Sequence, residues 1–192
     1  MNIYDVSNKA GVSIATVSRV LNGNARVSLA TRKKVLDAMK ELDYTPNVFA
    51  RGLGLNTMKT IGIMCIDSSD IYLANAVYYL EQELRKHSYD SILCCTGKDY
   101  TNKKKYLELL LSKRVDGIIL AGSQFVENTD TYNNDYIINA AKDIPIVLVN
   151  GYLDAPNIYS VMCNDEIAIY NATNLLINNG HRNIVYLYTS KS

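Results

Sequence analysis

A chain of 192 residues, 48% hydrophobic and 20% charged, has the composition of an ordinary globular protein with room for one sizeable domain or two small ones. No apolar run approaches the roughly 18 residues of a membrane span, and "MNIYDVSNKAG" lacks the basic-then-apolar profile of a secretion signal, so a cytoplasmic protein without a membrane partner is expected. The formal net charge of +1 hides a segregation: residues 1–59 hold nine Lys and Arg against four acids, net +5, and the remainder is net −4. A basic module on a mildly acidic body is the footprint of a nucleic-acid reader attached to something else.

The first 43 residues have helical patterning and no convincing strand. "NIYDVSNKA" sets Tyr4 or Val6 against Ala10, and "SIATVSRVLN" sets Val17 against Val20 and Leu21. "SLATRKKVLDAMKELDY" places Val35, Met39 and Leu42 on one stripe, with Ser28 as its N-cap. Three short helices, the first two joined by a tight turn at Gly11, predict a helix-turn-helix bundle. Its second helix must approach base edges closely in the major groove. Small hydroxyl side chains at Ser13, Thr16 and Ser18 permit that approach, and Arg19 can bond guanine O6 and N7 bidentately. Ser13 is also the expected N-cap.

After residue 60 the pattern alternates. Strand-like runs "TIGIMCI", "DSILCC", "VDGIILAG" and "IPIVLVN" are separated by amphipathic stretches near 71–87, 102–113 and 133–142. That order predicts a parallel sheet with helices on both faces. A further helix, "EIAIYNATNLLINN", and a further strand, "RNIVYLYTS", follow. Cys65, Cys94, Cys95 and Cys163 sit in or beside apolar runs without CxxC spacing, which predicts reduced, buried thiols. His87 and His181 lie far apart with no ligand spacing or nucleophile motif, so neither a metal nor a cofactor is expected. No G-x-G-x-x-G or G-x-x-x-x-G-K-[ST] follows a strand, and the expected protein is not an enzyme.

The stretch "IYDVSNKAGVSIATVSRVLNGNARVSLATRKKVLDAMKELDYTPNVFAR" closely resembles the DNA-binding head of the LacI/GalR family of bacterial transcription regulators. Its string D-V-x-x-x-A-G-V-S-x-x-T-V-S-R-V-L-N is highly specific. "TIGIMCIDSSDIYL", "KRVDGIIL", "IPIVLVN" and "NNGHRNI" resemble landmarks of that family's effector domain. The resemblance implies an all-α helix-turn-helix head (1–46), a hinge helix and linker (47–59), and a truncated α/β domain of periplasmic-binding-protein type (60–192). It implies a homodimeric repressor of double-stranded operator DNA, controlled by a small-molecule effector such as a sugar, sugar phosphate or nucleobase.

Carried over by motif, Ile14 and Ala15 occupy the operator-discriminating positions of the recognition helix. Thr16, Ser18, Arg19 and Asn22 match phosphate- and base-contacting positions, and Tyr4, Ser28, Thr31 and Tyr44 match backbone-contacting ones. "PNVFARGL" resembles the hinge helix, with Leu53 as a minor-groove wedge and Asn47 and Ala50 beside it. Gly52 and Gly54 depart from that pattern; either the hinge folds less readily, each Gly costing a helix interior up to about 1 kcal/mol, or Gly54 only caps it. On the effector side Tyr72 is expected against the ligand, with Ser69, Ser123 and Asn150 at strand C-terminal ends. Two features depart from the family: Cys163-Asn164 replaces its Asp-Asn pair, and "EIAIYNA" replaces a glycine-containing helix start. Family members continue well beyond Ser192, so the sequence is either a fragment or a natural short product. A pure ligand-binding module would suit the α/β part, but the basic helical head and the missing secretion signal argue against it; the alternative is a truncated member that binds DNA or a full-length partner without sensing an effector.

Overall fold

The computed structural model describes residues 1–23, 25–45, 57–127 and 133–187. The chain divides into two compact units, Met1–Lys59 and Thr60–Ser192.

The first unit is three helices: α1 (Ile3–Ala10), α2 (Ile14–Leu21) and α3 (Leu29–Glu41). Each starts on a side-chain cap. Asn2 accepts from Tyr4 and Asp5 amides while Asp5 answers with a bond to the Asn2 amide, a reciprocal capping box. Ser13 accepts from the Thr16 amide and Ser28 from the Thr31 amide, as the sequence predicts. Helix α1 ends because Gly11 turns left-handed (φ +64°), a conformation that costs glycine no Cβ clash. The buried Ser7 hydroxyl then donates to the Val12 carbonyl at 2.6 Å and fixes the turn into α2. Val6, Val17, Val20, Val35 and Ala38 form the core, with Met39, Leu42 and Tyr44 packed against it. Of the two alternatives for the inner face of α1, Val6 is buried and Tyr4 stands 63% exposed.

The second unit is a five-stranded, all-parallel sheet in the order β2-β1-β3-β4-β5. The strands are β1 (Thr60–Cys65), β2 (Asp90–Cys95), β3 (Gly117–Ala121), β4 (Ile146–Val149) and β5 (Ile158–Val161). Between and after them run α4 (Ile71–Lys86), α5 (Tyr100–Ser112), α6 (Asp135–Ala141) and α7 (Asp165–Asn178). Parallel pairing requires each crossover to carry a covering element, which is why strands and helices alternate. One face buries Met64, Ile118, Leu120, Ile146 and Leu148 under Leu107 and Leu110 of α5 and Ile137 and Ala140 of α6. Helix α4 lies on the other face, so helices cover both faces as expected.

Three expectations need correction. Cys65 and Cys94 are buried, but Cys95 and Cys163 are exposed. Strand β2 is an edge strand, so its alternation buries Cys94 and turns Cys95 to the less covered side, while Cys163 follows β5 in an exposed stretch. The predicted strand in "RNIVYLYTS" is not formed over the described residues 181–187. A strand needs a ladder partner for its N–H and C=O groups, and the described residues offer it no second sheet. Strand β5 is absent from the four runs read in the sequence, which located only its end through the resemblance; it is short and mostly exposed. Helix α7 buries no residue, and Ile167, Tyr170 and Leu175 stand exposed. No described helix is long and apolar enough to cross a membrane.

One glycine is fixed by close packing. A Cβ on Gly62 would lie 2.7 Å from Leu110 Cδ1, inside the fully buried contact between β1 and α5. Gly62→Ala is therefore expected to destabilise the α/β unit by about 1–3 kcal/mol through overpacking. Chemical denaturation of the purified chain measures it, and an unchanged midpoint would show that Leu110 moves aside freely.

Candidate nucleic-acid interface and ligand end

On the helical unit, caps and core together present one side of α2 to solvent. Val17 and Val20 are fully or nearly fully buried, whereas Ser13, Ile14, Ala15 and Arg19 are exposed and Thr16 and Ser18 half-buried. Ser13 Oγ and Thr16 Oγ1 lie 2.9 Å apart, and Ser28 Oγ donates to Thr31 Oγ1 at 2.9 Å. The first turns of α2 and α3 thus each display a Ser–Thr hydroxyl pair at the positive end of a helix dipole. Between them is a polar basin lined by Thr16, Arg19, Arg26, Val27, Ser28 and Thr31. Arg26 is the basin residue that motif matching overlooked. The sequence signal was present, since Arg26 counts toward the +5 of residues 1–59, but charge alone does not say which cations converge.

The remaining candidates of this unit fall around that face in different ways. Tyr4 is exposed, while Tyr44 is half-buried against the valine core. Asn22 follows α2 as its C-cap; its Oδ1 is buried without a hydrogen-bond partner among the described residues. Asn47, Ala50 and Leu53 lie outside the described residues, as do Gly52 and Gly54.

In the α/β unit, the parallel sheet collects the other candidates at its C-terminal end. Ser69 donates its backbone N–H (2.8 Å) and its hydroxyl (2.7 Å) to Asp67 Oδ1, and these two bonds, the backbone one first, hold the Asp67 carboxyl below the usual carboxylate range. Asp70 caps α4, which lifts Tyr72 into the open. Asn150 follows β4 in a left-handed conformation (φ +57°) and donates from Nδ2 to the Tyr72 hydroxyl at 2.7 Å. Two candidates chosen separately, 78 residues apart, are thereby in contact. Asn150 also borders a depression formed with Met162, Cys163, Asn164 and Asp165. Asn164 caps α7, so the Asn of the altered pair has a structural task and Cys163 faces solvent.

Ser123, exposed, opens a short 3-10 turn after Gly122, and the loop behind it is clamped from within. Lys103 of α5, 3% exposed, donates from Nζ to the Gln124 carbonyl (2.5 Å) and to Glu127 Oε1 (2.6 Å). Asn134 accepts from the Glu127 amide and donates back to its carbonyl, and the Tyr136 hydroxyl donates to the Phe125 carbonyl at 2.7 Å. Burial pushes the Tyr136 phenol up and keeps it a donor. None of these clamp residues was singled out in the sequence, because a buried lysine in "TNKKKY" looks like its exposed neighbours Lys104 and Lys105.

Residues 2–47 match the family described as bacterial regulatory proteins, lacI family, and residues 58–192 match the periplasmic binding proteins and sugar binding domain of the LacI family. The chain belongs to the LacI family. An HTH-type transcriptional regulator of Lachnoclostridium phytofermentans is 65% identical over all 192 residues, which cover 57% of that protein. The HTH-type transcriptional repressor PurR of Vibrio cholerae is 34% identical over 96% of this chain and 54% of its own length. Among solved structures, the lac repressor dimer bound to operator and the anti-inducer ONPF aligns with a TM-score of 0.74 at 25% identity, over 94% of this chain and 53% of that one. The chain thus spans about half the length of the LacI-family relatives it matches.

Breaking the clamp would leave the Glu127 carboxylate with little exposure and no cation. Lys103→Met is expected to cost about 3–5 kcal/mol at neutral pH. Lys103→Met/Glu127→Gln should recover most of it. Denaturation midpoints of the three proteins check this; a double variant no more stable than Lys103→Met would mean that the charge pair does not hold the loop.

Proposed function

We propose that this chain is a sequence-specific DNA-binding transcription regulator, a cytoplasmic repressor that acts as a dimer on a pseudo-palindromic operator. The observation that carries the reading is the solvent face of α2 beside the polar basin. Arg19 stands exposed in the last turn of the recognition helix, beside the polar basin and the capped helix N-termini that suit phosphate oxygens. Ile14 and Ala15 discriminate operators by apolar contact, and Arg19 reads a guanine. Thr16, Ser18, Asn22, Ser28, Thr31, Tyr4 and Tyr44 supply backbone and neighbouring base contacts, the Asn22 amide through its donor group. Asn47, Ala50 and Leu53 act in the hinge, with Leu53 as the wedge. The lac repressor structure with operator and anti-inducer supports the same division of labour.

The α/β unit contributes one wall of an effector site for a sugar, sugar phosphate or nucleobase, with Tyr72 and Asn150 at its centre and Ser69 and Ser123 on its rim. A second reading is DNA or partner binding without effector sensing, for which the exposed apolar side chains of α7 offer a surface to another chain. The same residues make self-association of the 192-residue chain the expected outcome in light scattering. A monodisperse preparation that binds a sugar or nucleobase saturably in calorimetry would remove the second reading.

Arg19→Ala is expected to weaken operator binding by about 1–3 kcal/mol and to relax preference at one G·C pair per half-site. Arg26→Ala should instead weaken all sequences alike and lower the slope of log affinity against log salt by about 1. Sites selected from random DNA, followed by salt titration of the two variants, separate these effects. Unchanged preference in Arg19→Ala would sink the assignment of α2 as the reading helix.

A further inference from the structure

Cys65 and Cys95 are register partners at the C-terminal ends of β1 and β2, and their sulfurs lie 3.7 Å apart as free thiols. Partners on neighbouring strands have Cα atoms about 4.8 Å apart, within the span that disulfides tolerate. Closing the sulfurs to bonding distance therefore asks for side-chain rotation and no strand movement. The two thiols differ in access: Cys65 is fully buried and Cys95 is exposed. Cys94, next along β2, is turned by the pleat into the opposite, helix-covered face with Met64 and Leu107. The alternation thus pairs Cys65 with Cys95 and sets Cys94 apart.

We propose that Cys65 and Cys95 are an oxidisable dithiol, a modification site that a hydroperoxide converts to a strand-to-strand disulfide. In the first step the exposed Cys95 sulfur attacks a peroxide oxygen, the O–O bond breaks, and the departing hydroxide takes up a proton to leave as water (or as an alcohol from an organic peroxide). Cys95 is then a sulfenic acid. In the second step the Cys65 sulfur attacks Cys95 Sγ, the S–S bond forms, the S–O bond breaks, and the hydroxide combines with the Cys65 proton as water. Each sulfur is oxidised by one electron, the peroxide is reduced by two, and the chain loses two hydrogens.

The surroundings set the tempo. Burial pushes the Cys65 thiol up to about 12, assisted by the hydrogen bond and charge of Cys95 and by Asp67 and Cys94; its partner on β3, Ala121, carries no charge. Since the thiolate attacks, a Cys65 held in its thiol form by burial closes slowly near neutrality and faster as pH rises. The Cys95 sulfenic acid consequently accumulates at neutral pH. The site does not depend on what the ligand end binds.

The test uses the whole chain carrying Cys163→Ser, which removes the other exposed thiol. It is treated with hydrogen peroxide near pH 7 and near pH 9, with and without dimedone, and mapped by peptide mass spectrometry. The expected results are a dimedone adduct on Cys95 near pH 7 and a Cys65–Cys95 linked peptide pair about 2 Da lighter than the two thiols. Loss of the sulfenic acid to disulfide should be at least about tenfold faster near pH 9 than near pH 7. Cys65→Ser should stop at the sulfenic acid, and Cys95→Ser should give neither product. Absence of the adduct, linkage through Cys94, or linkage only between chains would overturn the proposal, and the parent protein alone suffices to show any of these if a variant fails to fold.

Discussion

The proposed ligand end depends on the parallel pairing of β1 with β2 on one side and β3 on the other. Chain order reverses at that point, so the crossovers through α4 and α5 leave on opposite faces of the sheet. All strands then end on the same side, and the loops after β1, β3 and β4 meet there. A single antiparallel strand among them would send one of these loops to the far end. A Cβ at Gly62 of β1 would press on the Leu110 side chain, so the glycine lets α5 lie close on the centre of the sheet. Helix α5 in turn carries Lys103, whose ammonium holds the loop that begins at Ser123.

The helical unit rests on a smaller version of the same economy of means. Five small apolar side chains, four valines and one alanine, make its core, and that leaves little stability to spare. Helix termini therefore matter more than in a large domain. The Ser28 hydroxyl that caps α3 lines the polar basin, and the Ser13 hydroxyl that caps α2 pairs with Thr16, which lines it too, so local folding and the proposed recognition share neighbouring atoms.

Much of this was legible in the sequence where a single local rule decided the outcome. Ser13 and Ser28 are caps because a hydroxyl precedes an apolar-periodic run, and Gly11 is a turn because the pattern breaks there. The parallel sheet followed from alternation alone. What escaped were features decided by position in the finished sheet. Cys94 and Cys95 are adjacent and chemically identical in the sequence, yet an edge strand with one better-covered face buries the first and exposes the second. Lys103 is indistinguishable from Lys104 until α5 is laid on the sheet and a carbonyl and a carboxylate appear beneath it. "RNIVYLYTS" has the composition of a strand, but composition cannot provide a neighbouring strand. Tyr72 and Asn150 were each picked on fold position; that they touch needed the backbone.

The Tyr72–Asn150 hydrogen bond has a bearing on selectivity. It takes one N–H of the Asn150 amide and steers the ring of Tyr72, and leaves the second N–H and the carbonyl oxygen of the amide open to solvent. At the proposed effector site, a molecule that slides onto the ring can keep this latch intact and still offer the second N–H an acceptor. A ligand without such an acceptor would strand a polar group as it buries it, which discriminates far more strongly than a missing apolar contact. The proposed site is thus biased against apolar molecules, and the left-handed turn at Asn150 holds the amide where that choice is made.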